Sequence, residues 1–368
     1  MQVPLLDLKA QYQRYCLEVM PAVQAVLESQ LVCNGPTVRT LEEEIASYSG
    51  CAAGVGVSSG TDALLAALMA LGIGAGDEVI TSPFTFFATA GTIWRTGARP
   101  VFVDIEPETF NIDPAKIPAA ITSKTKAIIP VHLYGQMAEM DPIMAIAAKG
   151  GLAVIEDAAQ SIGASYKGRK TGSVGTCGCL SFYPTKNLGA PGDAGMIVTN
   201  DKAFAAKCAQ IRNHGQGGTY EHLAVGGNFR MDSITAAVLS IKLKYLEEWS
   251  AGRRHNAARY NELLAGVGGI KTPVIRPYNV SIFNQYIIRA KNRDALKAHL
   301  QAKGVASGVY YPLSLHQQPC FASLGYKPGD FPHSEQAAQE VLALPIYPEI
   351  TDAQLQYVAA TIKEFYAK

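Results

Sequence analysis

Residues 53–83 read AGVGVSSGTDALLAALMALGIGAGDEVITSP. AGVGVSS and DEVITSP are short, mostly apolar runs without the period-two alternation of a half-exposed strand, and TDALLAALMALG between them has a helical pattern. Two strands buried on both faces and joined through a helix make the unit of a parallel α/β sheet. The alternation continues to about Asn200 through RPVFVDI, KAIIPVHLYG, LAVIEDA, CLSFY and GMIVT, with helical ATAGTIWRTG and DPIMAIAAKGG between them. The expected fold is therefore α/β, with a mostly parallel central sheet and helices on both faces. From Ser233 to Leu264 runs a long helical pattern, one helix or several, whose charged middle suits a bridge between domains. The segments after it, among them NQYIIRA, RDALKAHLQAKG and SEQAAQEVLALP, make a smaller α+β unit. With 368 residues the chain exceeds the size of a single core, and residues 1–245 and 246–368 are the expected domains.

A net charge of +1, from 32 basic and 31 acidic residues, gives no electrostatic footprint for nucleic acid or an anionic membrane, so the expected ligand is small. No apolar run approaches the roughly 20 residues that span a bilayer, and the first residues show no signal pattern, so a cytoplasmic location is expected. Seven scattered cysteines are an odd number and fit a reducing compartment better than a disulfide framework. Cys177 and Cys179 form C-x-C without a second pair; they read as buried apolar residues, and no metal site is expected.

In sheets of this kind ligands bind where the strands end. SSGTDAL leaves a strand and opens a helix at Ser59, Gly60 and Thr61, whose free N–H groups and dipole favour a phosphate; the plain alternative is a helix capped by Thr61 or Asp62. Neither a G-x-x-x-x-G-K-[ST] nor a G-x-G-x-x-G pattern is present, which disfavours nucleoside triphosphates and dinucleotides. VIEDAAQSIGA ends an apolar strand in Glu156 and Asp157, with Gln160 beyond. A buried carboxylate needs a cation or strong donors, so Asp157 requires a protonated partner: a structural Arg or Lys, or a ligand. The third loop, in LSFYPTKNLGAPGDAGMIVTN (180–200), carries one lysine, Lys186, among Pro184, Gly189, Pro191, Gly192 and Gly195. A buried lysine shifts its pKa readily and forms Schiff bases with carbonyls. A phosphate cradle, a strand-end carboxylate and a lysine on a stiff loop are together what pyridoxal phosphate requires.

SSGTDAL, VIEDAAQSIGA, SFYPTKNLGAPGDAG and NFRMD resemble the signature segments of the DegT-type sugar aminotransferases, a branch of the fold-type-I pyridoxal phosphate enzymes, and the likeness runs from VPLLDLKAQY to LPIYP. The resemblance implies that Lys186 forms the imine with the cofactor and that Asp157 pairs with its ring nitrogen. It implies that Gly60, Thr61 and Ser181 hold the phosphate, that Gln160 touches the ring oxygen, and that Phe86 stacks on the ring where many members have Trp or Tyr. Asn228 matches a residue that the neighbouring subunit donates to the phosphate, which implies a homodimer with shared sites. The implied reaction takes an amino group from L-glutamate, releasing 2-oxoglutarate, and gives it to a keto group of a UDP- or dTDP-linked sugar. The stretch RNHGQGGTYEHLAVGGNFRMD is closer to members acting on 3-keto than on 4-keto sugars. A lysine at 186 separates the chain from the sugar 3-dehydratases of the family, which carry His there. Arg230, Tyr311, His316 and His214 resemble positions near the sugar, with a scaffold role as the alternative for the arginine and a structural one for the histidines; His132, at a strand end, is a weaker candidate. Another pyridoxal phosphate reaction, or a non-enzymatic regulator or nucleotide-sugar-binding module, are the alternative functions.

Overall fold

The computed structural model describes residues 1–367. Its central sheet has seven strands: β1 (Ala53–Val57), β2 (Glu78–Thr81), β3 (Arg99–Phe102), β4 (Thr125–Ile129), β5 (Ala153–Asp157), β6 (Cys177–Ser181) and β7 (Gly195–Thr199), in the order β1-β7-β6-β5-β4-β2-β3. Neighbours from β6 across to β3 are parallel, whereas β7 is antiparallel to both β1 and β6. The exception follows from the connection. Parallel neighbours need a crossover, usually through a helix, but residues 182–194 join β6 to β7 as a loop alone, so the chain turns back beside itself.

The helix that follows β1, Gly60–Ala70, is capped by Ser59, whose Oγ accepts the Asp62 N–H at 3.0 Å, rather than by Thr61 or Asp62. Ala63 through Leu68 are all buried, because sheet and neighbouring helices enclose this helix. Leu64 and Leu68 lie in one core with Val57, Ile129, Ile155, Cys177, Cys179 and Ile197, so truncating Leu68 to alanine should cost about 2–5 kcal/mol. The other face of the sheet packs Leu180, Met196 and Val198 against Leu41 and Ile45 of helix Pro36–Ser49 and Leu239 of helix Ser233–Leu243. The mostly parallel sheet between two helical layers is the architecture that the apolar runs imply.

The long helical pattern is two helices, Ser233–Leu243 and Leu246–Leu263, parted at Lys244 and Tyr245. The first belongs to the core of the large sheet, while the second sends Ala257 and Tyr260 into a separate core with Tyr286, Ile288, Leu342 and Val358. That second core surrounds a small antiparallel sheet of Ile270–Lys271, Tyr286–Ala290 and Val341–Leu344. Val3, far away in sequence, is buried in it and bridges to Val305. Phe84, Phe110 and Tyr134, from loops of the large sheet, pack with Ile287, Val341 and Ala343, so a shared apolar layer joins the two cores.

Candidate active site

The carboxyl ends of β1, β5 and β6 open onto a cavity of about 500 Å³, a size usual for small-molecule sites. The sheet order makes this possible, since β5 and β6 are neighbours and helix Gly60–Ala70 runs over β6. Gly60, Thr61, Phe86, Asp157, Gln160, Ser181, Lys186 and Tyr311 all line it.

One wall is the start of helix Gly60–Ala70, where Gly60 and Thr61 have no intrahelical partner for their N–H groups. Glycine is needed at 60 because a Cβ there would lie 2.6 Å from Ser181 Cβ and 3.2 Å from Ser181 Cα, at the end of β6. Gly195 on β7 meets the same turn from the other side: its Cβ would stand 2.5 Å from the Ser59 carbonyl. Two glycines thus let a helix start sink onto two strands, leaving amides and the Ser181 hydroxyl around one concavity.

Asp157, at the end of β5, is 5% exposed. Oδ2 accepts from Thr89 Oγ1 at 2.7 Å and Oδ1 from the Ala159 N–H at 3.2 Å. Burial raises its pKa, and these donors together with the positive charge of Lys186 oppose the rise. No Arg or Lys forms an ion pair with it among the described residues, so the structural-cation alternative is not met, and the carboxylate is turned to the cavity. Glu156, next to it, points the opposite way, as alternate strand residues do. It is fully buried against His132 Nε2 at 2.8 Å and the N–H groups of Gly172, Val174 and Gly175 at 2.7–2.9 Å. The Ala138 N–H donates to His132 Nδ1, which leaves Nε2 to donate to Glu156. Burial pushes the Glu156 carboxyl up, but His132 and the amides outweigh it and hold it below the usual range. His132 is therefore a structural partner of Glu156, while its backbone N–H, donating to the Asp157 carbonyl at 3.0 Å, ties the ends of β4 and β5 together.

Lys186 sits in the β6–β7 loop, its N–H bonded to the Tyr183 carbonyl at 2.8 Å. Burial lowers its amine to about 8, against the opposing pull of the Asp157 charge. Ala190 N–H returns to the Phe182 carbonyl at 2.7 Å, and Asn187 Nδ2 reaches the carbonyl of Ile282, which packs on the large sheet, at 3.1 Å. The Gln160 carboxamide is fixed at both ends: Oε1 accepts the Tyr134 N–H at 2.7 Å and Nε2 donates to Tyr311 Oη at 3.0 Å. The Phe86 ring is 56% exposed and lies 6.2 Å from that of Tyr311.

Four expected residues lie elsewhere. His316 is buried with Nε2 3.0 Å from Glu335 Oε1 and its ring 4.8 Å from that of Phe331, in the apolar layer that seats this segment on Phe102 of β3 and on Ala90. Arg230 donates to Asn213 Oδ1 at 3.0 Å and its backbone bridges to Val57, beside the cavity but outside its lining. His214 and Asn228 are exposed on the segment 213–230. The cavity also takes Thr85, Tyr183, Thr185, Asp193, Gln285 and Tyr310, and behind it stands Thr89. Tyr183 and Thr185 lie just before Lys186, a proximity legible in the sequence; Gln285 and Tyr310 reach the site through the packing of the smaller unit, which no local pattern announces.

The donor set fits pyridoxal phosphate. The free amides of a helix start and the Ser181 hydroxyl line the cavity for an anion, a buried carboxylate without an ion-paired cation among the described residues suits a protonated ring nitrogen, and a lysine amine lowered to about 8 lies in the same cavity.

The model of the DegT/DnrJ/EryC1/StrS aminotransferase family matches residues 16–363. Over 100% of the chain and 99% of the relative, there is 54% identity to a Geobacillus stearothermophilus protein named as a pleiotropic regulatory protein. Identity is 45% over 98% of the chain and 99% of the relative to the UDP-2-acetamido-2-deoxy-3-oxo-D-glucuronate aminotransferase of Pseudomonas aeruginosa. Among solved structures, S. venezuelae DesV in complex with a ketimine intermediate superposes with a TM-score of 0.97 at 40% identity, covering 100% of this chain and 99% of that one.

Proposed function

The chain belongs to the DegT/DnrJ/EryC1/StrS aminotransferase family, and from that premise we propose that it moves an amino group from L-glutamate to C3 of a nucleotide-linked 3-keto sugar. It is a pyridoxal-phosphate-dependent aminotransferase. The observation that carries transamination is the meeting of Lys186, Asp157 and the Gly60–Thr61 helix start in one cavity. Support for C3 over C4 comes from the Pseudomonas relative, whose substrate is named as a 3-oxo sugar.

In this reading the amides of Gly60 and Thr61, with Ser181 Oγ, would hold the phosphate, and Phe86 would lie against the ring. Asp157, oriented by Thr89 and Ala159, keeps the ring nitrogen protonated, and Gln160 meets the ring oxygen. When bound, the cofactor supplies a carbonyl for the amino donor to condense with and a ring that accepts the electrons of a broken Cα–H bond. With the cofactor bound, Lys186 would be the group that takes up the proton from the donor carbon; an amine near 8 keeps a useful neutral fraction at pH 7 yet retains basicity. Tyr311 and Gln285, brought by the smaller unit, face the side on which the sugar enters.

We propose further that two chains share their sites in a homodimer, with Asn228 and its segment reaching the partner. In support, Tyr220, Leu223 and Val225 of that segment are 91%, 66% and 88% exposed, apolar surface that a partner would cover. A cytoplasmic location is proposed; among the described residues no helix is long and apolar enough to cross a membrane.

The test is an amination assay over a panel of UDP- and dTDP-linked 3-keto and 4-keto sugars with L-glutamate as donor. Amination of a 4-keto sugar in preference to every 3-keto sugar overturns the regiochemistry. The name of the Geobacillus relative favours a second reading, a regulator; a Lys186→Ala variant that keeps its full effect in the cell would establish it.

A further inference from the structure

Lys242 is a cation buried without a carboxylate. It is 4% exposed on helix Ser233–Leu243, and no acidic side chain pairs with it among the described residues. Its Nζ donates to the Gly189 carbonyl and stands 5.1 Å from the ring centroid of Tyr15 and 5.9 Å from that of Trp249. Around it Tyr15, Val19, Val238, Ile241 and Trp249 form an apolar cluster. Burying an ammonium in such surroundings is unfavourable unless strong acceptors compensate; one carbonyl and two aromatic faces are the compensation here. Burial accordingly lowers the amine to about 8.

The carbonyl it holds belongs to the loop of Lys186, three residues on. Gly189 is packed so closely that a Cβ would lie 2.2 Å from the Pro184 carbonyl, so this stretch has one shape. Asn187 tethers the loop through the carbonyl of Ile282, which is packed against Ile80, Ile128 and Val154 of the large sheet. Lys242 tethers it to helix Ser233–Leu243 in the large sheet's core and to the cluster containing Tyr15. Both anchors fall directly after Lys186 in the chain, at residues 187 and 189, and hold the backbone that leads away from it.

We propose that Lys242 is a positioning residue that fixes the Lys186 loop through the Gly189 carbonyl and so keeps the Lys186 amine in its desolvated place in the cavity. This rests on the reading of Lys186 as the reacting lysine. That reading is tested separately, by borohydride labelling of the wild-type protein with its cofactor, so its failure is distinguishable from failure of the role assigned to Lys242.

The experiment compares wild type, Lys242→Met, Lys242→Gln and Lys242→Arg in two ways. In cofactor-free protein, the rate of Lys186 acetylation by acetic anhydride is followed by mass spectrometry against pH. In the loaded enzyme, kcat and the KM for L-glutamate are measured. Losing the tether admits water to Lys186, so the labelling midpoint should rise by half a pH unit or more in the Met variant. Its kcat should fall about tenfold while KM changes less than twofold. The Gln variant, with a shorter and neutral donor, should shift both readouts the same way by a smaller amount, and Arg should restore both. A purely structural role lowers the melting temperature and leaves the midpoint alone. Wild-type midpoint and kcat in whichever of the Met and Gln variants folds overturns the proposal.

Discussion

Replacing Gly60 by alanine tests the geometry on which the site depends. The added Cβ would lie 2.6 Å from Ser181 Cβ, 3.0 Å from Ser181 Oγ and 3.2 Å from Ser181 Cα. An ordinary contact between carbons is about 3.5–4.0 Å, so the helix start must retreat from β6 by about 1 Å. Ser181 cannot yield instead, because its backbone pairs with Gly195 on β7 and Gly195 is itself pressed on Ser59. Overpacking of this kind costs about 1–3 kcal/mol. The retreat also removes the Gly60 and Thr61 amides from a bound phosphate; a hydrogen bond to a charged group is worth about 1.5–3 kcal/mol, so losing one weakens cofactor binding roughly 10- to 150-fold. Equilibrium dialysis against pyridoxal phosphate and thermal melts of the cofactor-free protein measure the two effects separately. The double variant Gly60→Ala, Ser181→Gly removes the two nearest atoms, Cβ and Oγ, and leaves only Cα at 3.2 Å, so its melting temperature should recover in part, beyond the sum of the single changes. Its affinity should not, since the Ser181 hydroxyl is gone as well. A Gly60→Ala protein with wild-type affinity and melting temperature would refute the close packing and the phosphate cradle together.

Acetylation of Lys186 in the cofactor-free protein should rise with pH around a midpoint near 8, since burial lowers this amine. At pH 7 that leaves about one molecule in ten neutral, against roughly one in 3,000 for an ordinary lysine. The Asp157 charge raises the Lys186 pKa, so Asp157→Asn should move the midpoint down; an upward move would contradict the assigned electrostatics. The same variant should keep its fold by circular dichroism and lose most turnover, because a neutral amide no longer favours a protonated ring, and steady-state kinetics at wild-type rate would show that the ring nitrogen has another partner. Glu156→Ala strips the acceptor from His132 and three backbone N–H groups and should cost about 3–5 kcal/mol in urea unfolding. Because the Glu156 carboxyl is held below its usual range in the fold, its contribution is present above the unfolded pKa and fades as the pH falls through the folded one. An acid-unfolding midpoint unchanged by this substitution would count against the network.

How much of the site was legible follows from how each residue is placed. Gly60, Thr61, Asp157, Gln160, Ser181 and Lys186 sit at the ends of apolar runs, and chain order alone puts strand ends on one edge of a parallel sheet. Thr89 and Tyr134, which orient Asp157 and Gln160, lie in segments whose local pattern carries no such sign, because their partners are 68 and 26 residues away. His316 shows the converse. Its place in YYPLSLHQQP resembles a sugar-side position, yet Glu335 and Phe331 hold it in a packed layer.

The sequence by itself determined the α/β class and the strands that make the sheet, since continuous apolar runs admit few other burials. It also offered the parts of the chemistry, a helix start opened by glycine, a strand-end acid and one lysine on a stiff loop, and the family resemblance joined them into one site. The tertiary structure decided which way β7 runs, for a connection without a helix turns back on its neighbour. It decided that Glu156 belongs to His132 and Asp157 to the cavity, for that depends on which loops pack beneath β5. It decided, too, that Lys242 grips the loop of Lys186, a contact between residues 53 apart in the chain that only packing creates.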